Sequence, residues 1–381
     1  MGLLLLPSAE AFALIWRPAA SVFGALLFCF LLTMNGKPLR MNSPESWVTL
    51  VSTPELINDI RTATNDQLSL HAAAKEHLPQ LTPGVRVIID RTFAQELRTG
   101  RSVNVLALCK KVVTKVSAYA FFGLDYVEDN EFLNAAYYYN EDVLYGSELL
   151  RITPKFLVPL VGMFIPLFLK RQRTFFYGLV AIIEDRMNNP DPLTKYNDVI
   201  QWIIDTSPKS KPWTPGRMAF EVMAIWFGSV QGLATTLTFA IYSLCENSEY
   251  ISPLRTEIES SAGGEFFVKG EGLPLMDSFL KECSRWTPVE SDPKRLGRES
   301  SIQPEGPSKF TDVSETWHVW GTGKLTCPGR FFVSYAMKHV MCHILENYDP
   351  EMVEAHGKHT INWRTLTLPG LGVKANFKAR V

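Results

Sequence analysis

Apolar residues recur at helical spacing along most of the chain. This spacing predicts helices at residues 105–122, 130–150, 174–188, 195–205, 215–246, 249–260, 273–286 and 328–347. The stretch SWVTLVS (Ser46–Ser52) predicts a strand, and Ser52 or Thr53 is placed to cap a helix with Glu55 in its first turn. Proline and glycine concentrate in predicted loops at residues 152–166, 206–216, 262–274 and 287–329. The pattern favours a mainly α fold with small β-sheets.

The N-terminal part carries a long apolar stretch, residues 11–34, whose interruptions are Arg17, Pro18 and Ser21. A helix that spans a membrane needs roughly 20 apolar residues. Cationic residues that follow such a stretch, here beginning with Lys37, favour a cytosolic position for the rest of the chain. We therefore expect residues 1–40 to be a single-pass membrane anchor and linker, and residues 41–381 to be a cytosolic domain. A cleaved signal peptide and a buried first helix are the alternatives.

Composition narrows the class of function. The 381 residues are 46% hydrophobic and carry a formal net charge of -1, so the chain can build a large core and has no electrostatic reason to bind nucleic acid. The six cysteines are scattered, which is typical of a reducing compartment and not of a disulfide scaffold. His339, Cys342 and His343 share a helix face, but without a further ligand pair nearby this spacing favours core packing over zinc.

One cysteine lies in an unusual setting, the segment WGTGKLTCPGRFF that runs from Trp320 to Phe332. Glycines in this segment allow close backbone approaches that side chains would forbid. Pro328 suits the first turn of a helix with Cys327 as its cap, where the helix N-terminus would stabilise a thiolate. The segment therefore predicts an anionic sulfur held against a flat, apolar partner between aromatic walls. An inert buried cysteine in a turn is the alternative.

The extended pattern resembles the haem-binding loop of cytochrome P450, roughly F-G-x-G-x-H/R-x-C-x-G. The resemblance implies that Cys327 is the axial ligand of the haem iron. It assigns the neighbouring cofactor contacts to Trp320, Gly321, Gly323, Lys324, Gly329 and Arg330. Glu282 and Arg285 match the family's Glu-x-x-Arg pair, three positions apart on one helix face, and Arg295 would complete a structural triad. The resemblance extends from residue 40 onward and is strongest to the filamentous-fungal branch of the family.

This resemblance implies a helical haem domain, partly truncated relative to the family, with haem b as cofactor. Thiolate ligation pushes electron density toward the iron and favours O–O cleavage. The implied activity is a monooxygenase that takes electrons from NADPH through a separate NADPH-cytochrome P450 reductase. An apolar small molecule, such as a lipid, a terpenoid or another fungal specialised metabolite, would be the substrate. The implied location is the membrane of the endoplasmic reticulum.

The distal helix departs from the family pattern. When the chain is aligned on the following TLT, Gln231 takes the position of the usual acid and Gly232 that of the usual threonine. Gly232 has no hydroxyl to relay a proton. Thr235 and Thr236 lie about one turn away and are the nearest substitutes. We expect Gln231, Gly232 and Thr235 to form the oxygen-activation region.

Further departures affect the haem contacts. Leu325 replaces the His or Arg that usually bonds a haem propionate. Two stretches are shorter than in the family, one between Leu81 and Val85 and one between Trp286 and Pro293.

Because of these departures, two other functional hypotheses stand beside the monooxygenase. One is a haem-thiolate isomerase or dehydratase that does not activate O₂, and the other is a catalytically inactive truncated relative.

Overall fold

The computed structural model describes residues 39–42, 47–50, 70–98, 102–158, 160–162, 170–189, 196–207, 212–287, 309–314, 317, 319–321, 323, 326–353, 359–363 and 366–380. The chain forms two compact units. The first unit consists of Met1–Leu68 with Val313–Cys327, and the second consists of Ser69–Asp312 with Pro328–Val381. The predicted membrane anchor and the predicted helix after Ser52 lie outside the described residues.

The described part of the second unit is mainly helical. Its helices are α1 (Leu70–Glu96), α2 (Val105–Phe122), α3 (Asn130–Ile152), α4 (Lys170–Asn188), α5 (Val199–Thr206), α6 (Pro215–Glu246), α7 (Ile251–Glu259), α8 (Ser261–Lys269), α9 (Pro274–Trp286) and α10 (Arg330–Asn347). All eight helices that the apolar spacing predicts are therefore confirmed, with shifts of a few residues at their ends.

The strands form three small antiparallel sheets. They are β1 (Leu39–Asn42), β2 (Trp47–Leu50), β3 (Ser102–Asn104), β4 (Tyr348–Met352), β5 (Thr360–Trp363), β6 (Leu366–Pro369) and β7 (Lys374–Ala379). In the first unit β1 pairs with β2, which confirms the predicted strand. In the second unit β7 lies between β3 and β4, and β5 pairs with β6. The fold is thus mainly α with small β-sheets, as the sequence predicts.

Side-chain caps fix where the helices begin. Asn104 Oδ1 accepts the N–H of Ala107 at 2.8 Å at the start of α2. Thr214 Oγ1 accepts the N–H of Arg217 at 3.2 Å at the start of α6, where Pro215 occupies the first helical position. A cap of this kind contributes about 1 kcal/mol because it pairs a backbone donor that the helix itself leaves without a partner.

Aromatic rings pack around the middle of α6 and form the core of the second unit. The ring of Trp226 lies 5.1 Å from that of Phe122 and 5.6 Å from that of Phe175, and Phe122 lies 5.2 Å from Phe132. The indole N–H of Trp226 donates to the carbonyl of Ala136 at 3.0 Å, so its polar atom is also satisfied. This cluster holds α2, α3 and α4 against α6.

In the described part of the chain, α6 is the one helix long and apolar enough to cross a membrane. Its apolar side chains are nevertheless largely buried by the surrounding helices, including Val222, Leu237 and Ile241. Such burial is what a core helix of a globular unit shows. The apolar character of α6 is therefore explained by packing.

Two predicted loops are wrong in part, because residues 262–274 contain most of the helix α8 and residues 158 and 160–162 are helical within the predicted loop 152–166. Ser260 Oγ caps this helix by accepting the N–H of Ala262 at 3.2 Å, and Phe266 is fully buried. Gly263 favours a loop by propensity, but a Cβ there would lie 1.8 Å from the carbonyl oxygen of Ile258. Residue 263 must be glycine because of this close backbone approach. Burial of Phe266 outweighs the weak helix propensity of Gly263.

The helix α1, which the apolar spacing does not predict, runs without interruption past Pro79 and Pro83. It therefore also runs through Leu81–Val85, where the resemblance to the family implies a missing stretch. Proline removes one backbone donor and favours a break, yet contacts of this helix with α10 hold it in place. Tertiary packing has again outweighed local propensity.

Candidate functional site

The cysteine loop belongs to the first unit and is closed by backbone hydrogen bonds. The N–H of Cys327 donates to the carbonyl of Trp320 at 2.6 Å, and the N–H of Thr326 donates to the carbonyl of Gly323 at 3.1 Å. Gly321 and Gly323 have φ values of 74° and 57°, in the left-handed region that side chains disfavour. The glycines of the sequence pattern are therefore the residues that let the loop turn back on itself and present Cys327 at its end.

The junction between the loop and α10 differs from the expectation. α10 begins at Arg330 with Gly329 at its N-cap, so the predicted start at Pro328 with Cys327 as the cap is wrong by two residues. Pro328 and Gly329 form a turn before the helix. The guanidinium of Arg330 lies over the ring of Phe331, with 4.3 Å to the ring centroid. The remaining predicted contact, Lys324, lies outside the described residues.

Glu282 and Arg285 form the predicted pair on α9. The Nε of Arg285 donates to Glu282 at 2.8 Å, and a second, shorter contact makes the pair bidentate. The indole of Trp286 also donates to Glu282, at 2.9 Å. The hydrogen bond from Arg285 lowers the pKa of Glu282, and the same bond raises the pKa of Arg285. Arg295, the expected third member of the triad, lies outside the described residues.

The pair is half-exposed, with 37% of the Arg285 side chain and 55% of the Glu282 side chain accessible. Water screens such a pair, and exposed ion pairs contribute about 0–1 kcal/mol to stability. Its bidentate geometry instead fixes the direction of both side chains on α9.

The middle of α6 places the predicted oxygen-activation residues within about one helical turn of one another. The Oε1 atom of Gln231 is buried and has no hydrogen-bond partner. A Cβ built on Gly232 would meet no atom within 4 Å, so open space adjoins that position. Thr236 Oγ1 donates to the carbonyl of Gly232 at 2.9 Å, while Thr235 is 1% exposed. One unpaired side-chain carbonyl, an open space and a helix-bonded hydroxyl therefore lie within about one turn.

The predictions from sequence do not include the hydrogen bond from Thr236 to Gly232. A threonine four residues after a glycine is the available signal, because Ser and Thr in helices bond the carbonyl one turn back.

His339 illustrates the packing that the sequence did predict. Its ring lies 4.4 Å from that of Tyr335 and 4.7 Å from that of Phe266, and burial lowers its pKa to about 3.

Comparison with known proteins identifies the class. Residues 48–302 match the family model described as cytochrome P450. This chain therefore belongs to the cytochrome P450 family. The matched residues include the distal part of α6 and the Glu282–Arg285 pair, whereas the cysteine loop lies beyond them. A crystal structure of a cytochrome P450 (CYP102L1) shares the fold, with a TM-score of 0.60, 15% identity, and coverage of 91% of this chain and 92% of that one.

Three of the curated relatives are fungal proteins. The chain is 26% identical to cytochrome P450 monooxygenase AN1598 of Emericella nidulans over 68% of this chain and 59% of that protein. It is 25% identical to cytochrome P450 monooxygenase 151 of Postia placenta over 88% of this chain and 85% of that protein. It is also 25% identical to cytochrome P450 monooxygenase AtmP of Aspergillus flavus over 71% of this chain and 64% of that protein. The chain thus spans less than two thirds of some of these relatives.

Proposed function

We propose that this chain is a haem-thiolate monooxygenase in which Cys327 ligates the iron of haem b. Its substrate would be an apolar small molecule, a lipid, terpenoid or other fungal specialised metabolite. The observation that carries the proposal is the loop closed by the Cys327-to-Trp320 hydrogen bond over two left-handed glycines. The backbone N–H of the cysteine is thereby paired within the loop.

The donor set fits haem. A single thiolate on a glycine-rich loop suits axial ligation of a haem iron, and a structural zinc site would need about four ligands. In the described part of the chain, no group of three or more His, Cys, Asp or Glu side chains is arranged to hold a metal ion. Gly321, Gly323 and Gly329 would let the backbone approach a flat ring. Trp320, Lys324 and Arg330 would provide the neighbouring apolar and cationic contacts.

When bound, haem supplies the redox chemistry of O₂ activation, with electrons delivered from NADPH by NADPH-cytochrome P450 reductase. The residues of this chain would bind the haem, orient the substrate and supply protons. Glu282 and Arg285, together with Arg295, would form the structural triad that the resemblance to the family implies. On α6, the unpaired Oε1 of Gln231 can accept a hydrogen bond from water in the open space beside Gly232. Thr235 and Thr236 are the nearest hydroxyls on the helix.

Gly232 favours a second candidate function, a haem-thiolate isomerase or dehydratase. Such an enzyme needs no relay of protons to O₂, and Gly232 carries no hydroxyl. The nearby hydroxyl of Thr236 is bonded to the carbonyl of Gly232. Dependence of product formation on NADPH separates this candidate from the monooxygenase. The catalytically inactive relative differs from both because it would bind no haem.

Residues 1–40 would act as the membrane anchor and linker of this enzyme, with residues 41–381 as the haem domain on the cytosolic side of the endoplasmic reticulum. The apolar stretch at residues 11–34 and the following basic residues support this arrangement.

The spectrum of the reduced, CO-bound protein tests the central assignment. A thiolate-ligated haem gives a red-shifted Soret band, and Cys327→Ala should abolish it while Cys245→Ala leaves it unchanged. Cys245 is a suitable control because it is a thiol on α6 outside the cysteine loop. An unchanged band in Cys327→Ala would remove the ligand assignment. Absence of haem from the wild-type protein would favour the inactive relative.

A further inference from the structure

An open cleft of about 490 Å³ lies between α2 and α3, beside the last residue of α1. Its lining residues recur at helical spacing, so one face of α2 meets one face of α3. They are Glu96 from α1, Lys111, Thr114 and Lys115 from α2, and Leu133, Asn134, Tyr137 and Tyr138 from α3. We call this space the α2–α3 cleft. It shares no residue with the candidate functional site.

The hydroxyl of Thr114 is a polar group of the cleft that lacks a partner. Thr114 is 1% exposed, and its Oγ1 atom has no hydrogen-bond partner among the described residues. A helical threonine can avoid this situation by donating to the carbonyl one turn back, as Thr238 does to Ala234 at 2.7 Å. A buried polar atom without a partner is destabilising. Because Thr114 lines the cleft, a ligand bound there can pair with it.

The cleft also carries one positive charge that no lining carboxylate neutralises. The Nζ atom of Lys111 lies 2.6 Å from Glu96, so these two charges offset each other. Lys115 instead donates to the neutral amide of Gln95 at 3.1 Å. The lining residues therefore include two cationic side chains and one anionic side chain. This surplus of positive charge favours an anionic ligand.

Two tyrosine rings form an aromatic wall of the cleft. The rings of Tyr137 and Tyr138 are 4.8 Å apart and nearly perpendicular. Lys110 Nζ lies 4.0 Å from the ring centroid of Tyr137, and the guanidinium of Arg171 lies 4.3 Å from that of Tyr138. These cations hold both rings in place, so the wall is preorganised for an aromatic ligand. Burial raises the pKa of Tyr137 to about 12, so its phenol adds no negative charge at neutral pH.

We propose that the α2–α3 cleft is a binding site for an aromatic carboxylate. The carboxylate pairs with Lys115 and accepts a hydrogen bond from Thr114, and its ring lies against Tyr137 and Tyr138. An ionised carboxylate suits this pair of groups because it has two acceptor oxygens and forms strong charge-assisted hydrogen bonds. A neutral aromatic molecule leaves Lys115 without a counter-charge, and a cation meets a cleft of its own sign. Binding at this cleft does not depend on haem.

Titration calorimetry with para-benzoylbenzoate tests this proposal on the full chain. The same probe attaches covalently to neighbouring C–H bonds when it is irradiated, so peptide mass spectrometry then locates it. Attachment should fall within residues 111–115 or 133–138. The neutral counterpart, para-benzoylbenzyl alcohol, should bind at least about fivefold more weakly, because it lacks the charge that pairs with Lys115.

A lysine variant tests the charge. Lys115→Gln should weaken binding of the acid by at least about fivefold and leave binding of the alcohol unchanged. Lys269→Gln is the matched control, because Lys269 is an exposed lysine on α8 that pairs with Glu265 at 3.1 Å. It should change the binding of neither compound.

A threonine variant separates a ligand contact from a structural role. Thr114→Val should weaken binding of the acid about threefold without lowering the urea midpoint, because the hydroxyl has no partner to lose within the described chain. Thr238→Val is the matched control, since it removes the hydrogen bond to Ala234. That variant should lower the midpoint and leave binding unchanged.

Three outcomes overturn the proposal. They are the absence of binding at millimolar probe, attachment confined to residues outside the cleft, and an affinity that neither Lys115→Gln nor Thr114→Val changes. Far-UV circular dichroism shows whether each variant is folded. The site of attachment on the wild-type chain decides the matter if a variant does not fold.

Discussion

Arg186 and Asp198 form a buried ion pair that joins the end of α4 to the beginning of α5. Two guanidinium nitrogens contact the two carboxylate oxygens at 2.6 and 2.7 Å, and 5% of each side chain is accessible. Arg186 also donates to the carbonyl of Phe122 at 3.2 Å. Asp198 caps α5 by accepting the N–H of Gln201 at 3.0 Å. Removing one charge therefore leaves the other buried without its counter-charge.

We predict that Asp198→Asn lowers the free energy of unfolding by about 3 kcal/mol, the lower end of the range for breaking a buried pair. The loss falls at that end because asparagine keeps an acceptor for Arg186 and for the cap of α5. Asp198→Ala should cost about 1 kcal/mol more, since it also removes the cap. The comparison of the two variants thus separates the ion pair from the helix start.

Urea denaturation followed by far-UV circular dichroism measures both losses, with the slope against urea checked for equality. Glu221→Gln is the matched control, because Glu221 pairs with Arg217 at 3.3 Å on the surface and 44% of its side chain is accessible. That variant should remain within about 0.5 kcal/mol of the wild type. Asp198→Asn within about 1 kcal/mol of the wild type would refute the reasoning that burial makes the pair essential.

The remaining predictions concern turnover, haem retention and the anchor. Gly232→Thr should raise product formed per NADPH consumed, because it supplies a hydroxyl for proton relay at the position where the family has one, and open space accepts the side chain. Gly228→Thr, one turn earlier and with equal space, should leave the ratio unchanged, and an unchanged ratio in Gly232→Thr contradicts this prediction. Leu325→Arg should slow haem transfer to an acceptor protein by pairing a propionate, and equal transfer rates contradict this. Deleting residues 1–36 should move the protein from the carbonate-washed membrane pellet to the soluble fraction; a wild-type protein that is already soluble contradicts the anchor.

The sequence predicts the helices well where cap, apolar face and breaker agree. α6 begins at Pro215 after the cap Thr214 and ends at Glu246, as the apolar spacing predicts. The prediction from sequence fails at α8. Gly263 indicates a loop by propensity, whereas the structure needs glycine there for close approach to Ile258. A single chain cannot distinguish these two uses of glycine, since the second depends on a neighbouring helix end.

The candidate site also has features that the sequence indicates and features that it does not. The glycines of the cysteine loop imply its left-handed turns, because φ is a local property of the chain. The unpaired Oε1 of Gln231 and the space beside Gly232 depend on what packs against α6, so no pattern in the sequence indicates them. Tyr145 and Leu149 on α3 are both exposed. Their spacing is visible in the sequence, but a buried face of a helix has the same spacing.

The region between Leu81 and Val85, where the resemblance to the family implies a missing stretch, bears on whether this chain is a decayed enzyme. A damaged junction would leave polar groups unpaired and space unfilled. Here Thr82 Oγ1 and the hydroxyl of Tyr335 form a buried hydrogen bond at 2.9 Å, and Val85 is fully buried. A Cβ on Gly84 would lie 2.5 Å from the ring of Tyr119, so this residue also fits closely to its neighbour. The junction is therefore a packed part of the second unit. The helical framework is therefore intact at this point. The resemblance to the family implies that a substrate-covering loop is missing here, and its absence should act on substrate access and not on folding.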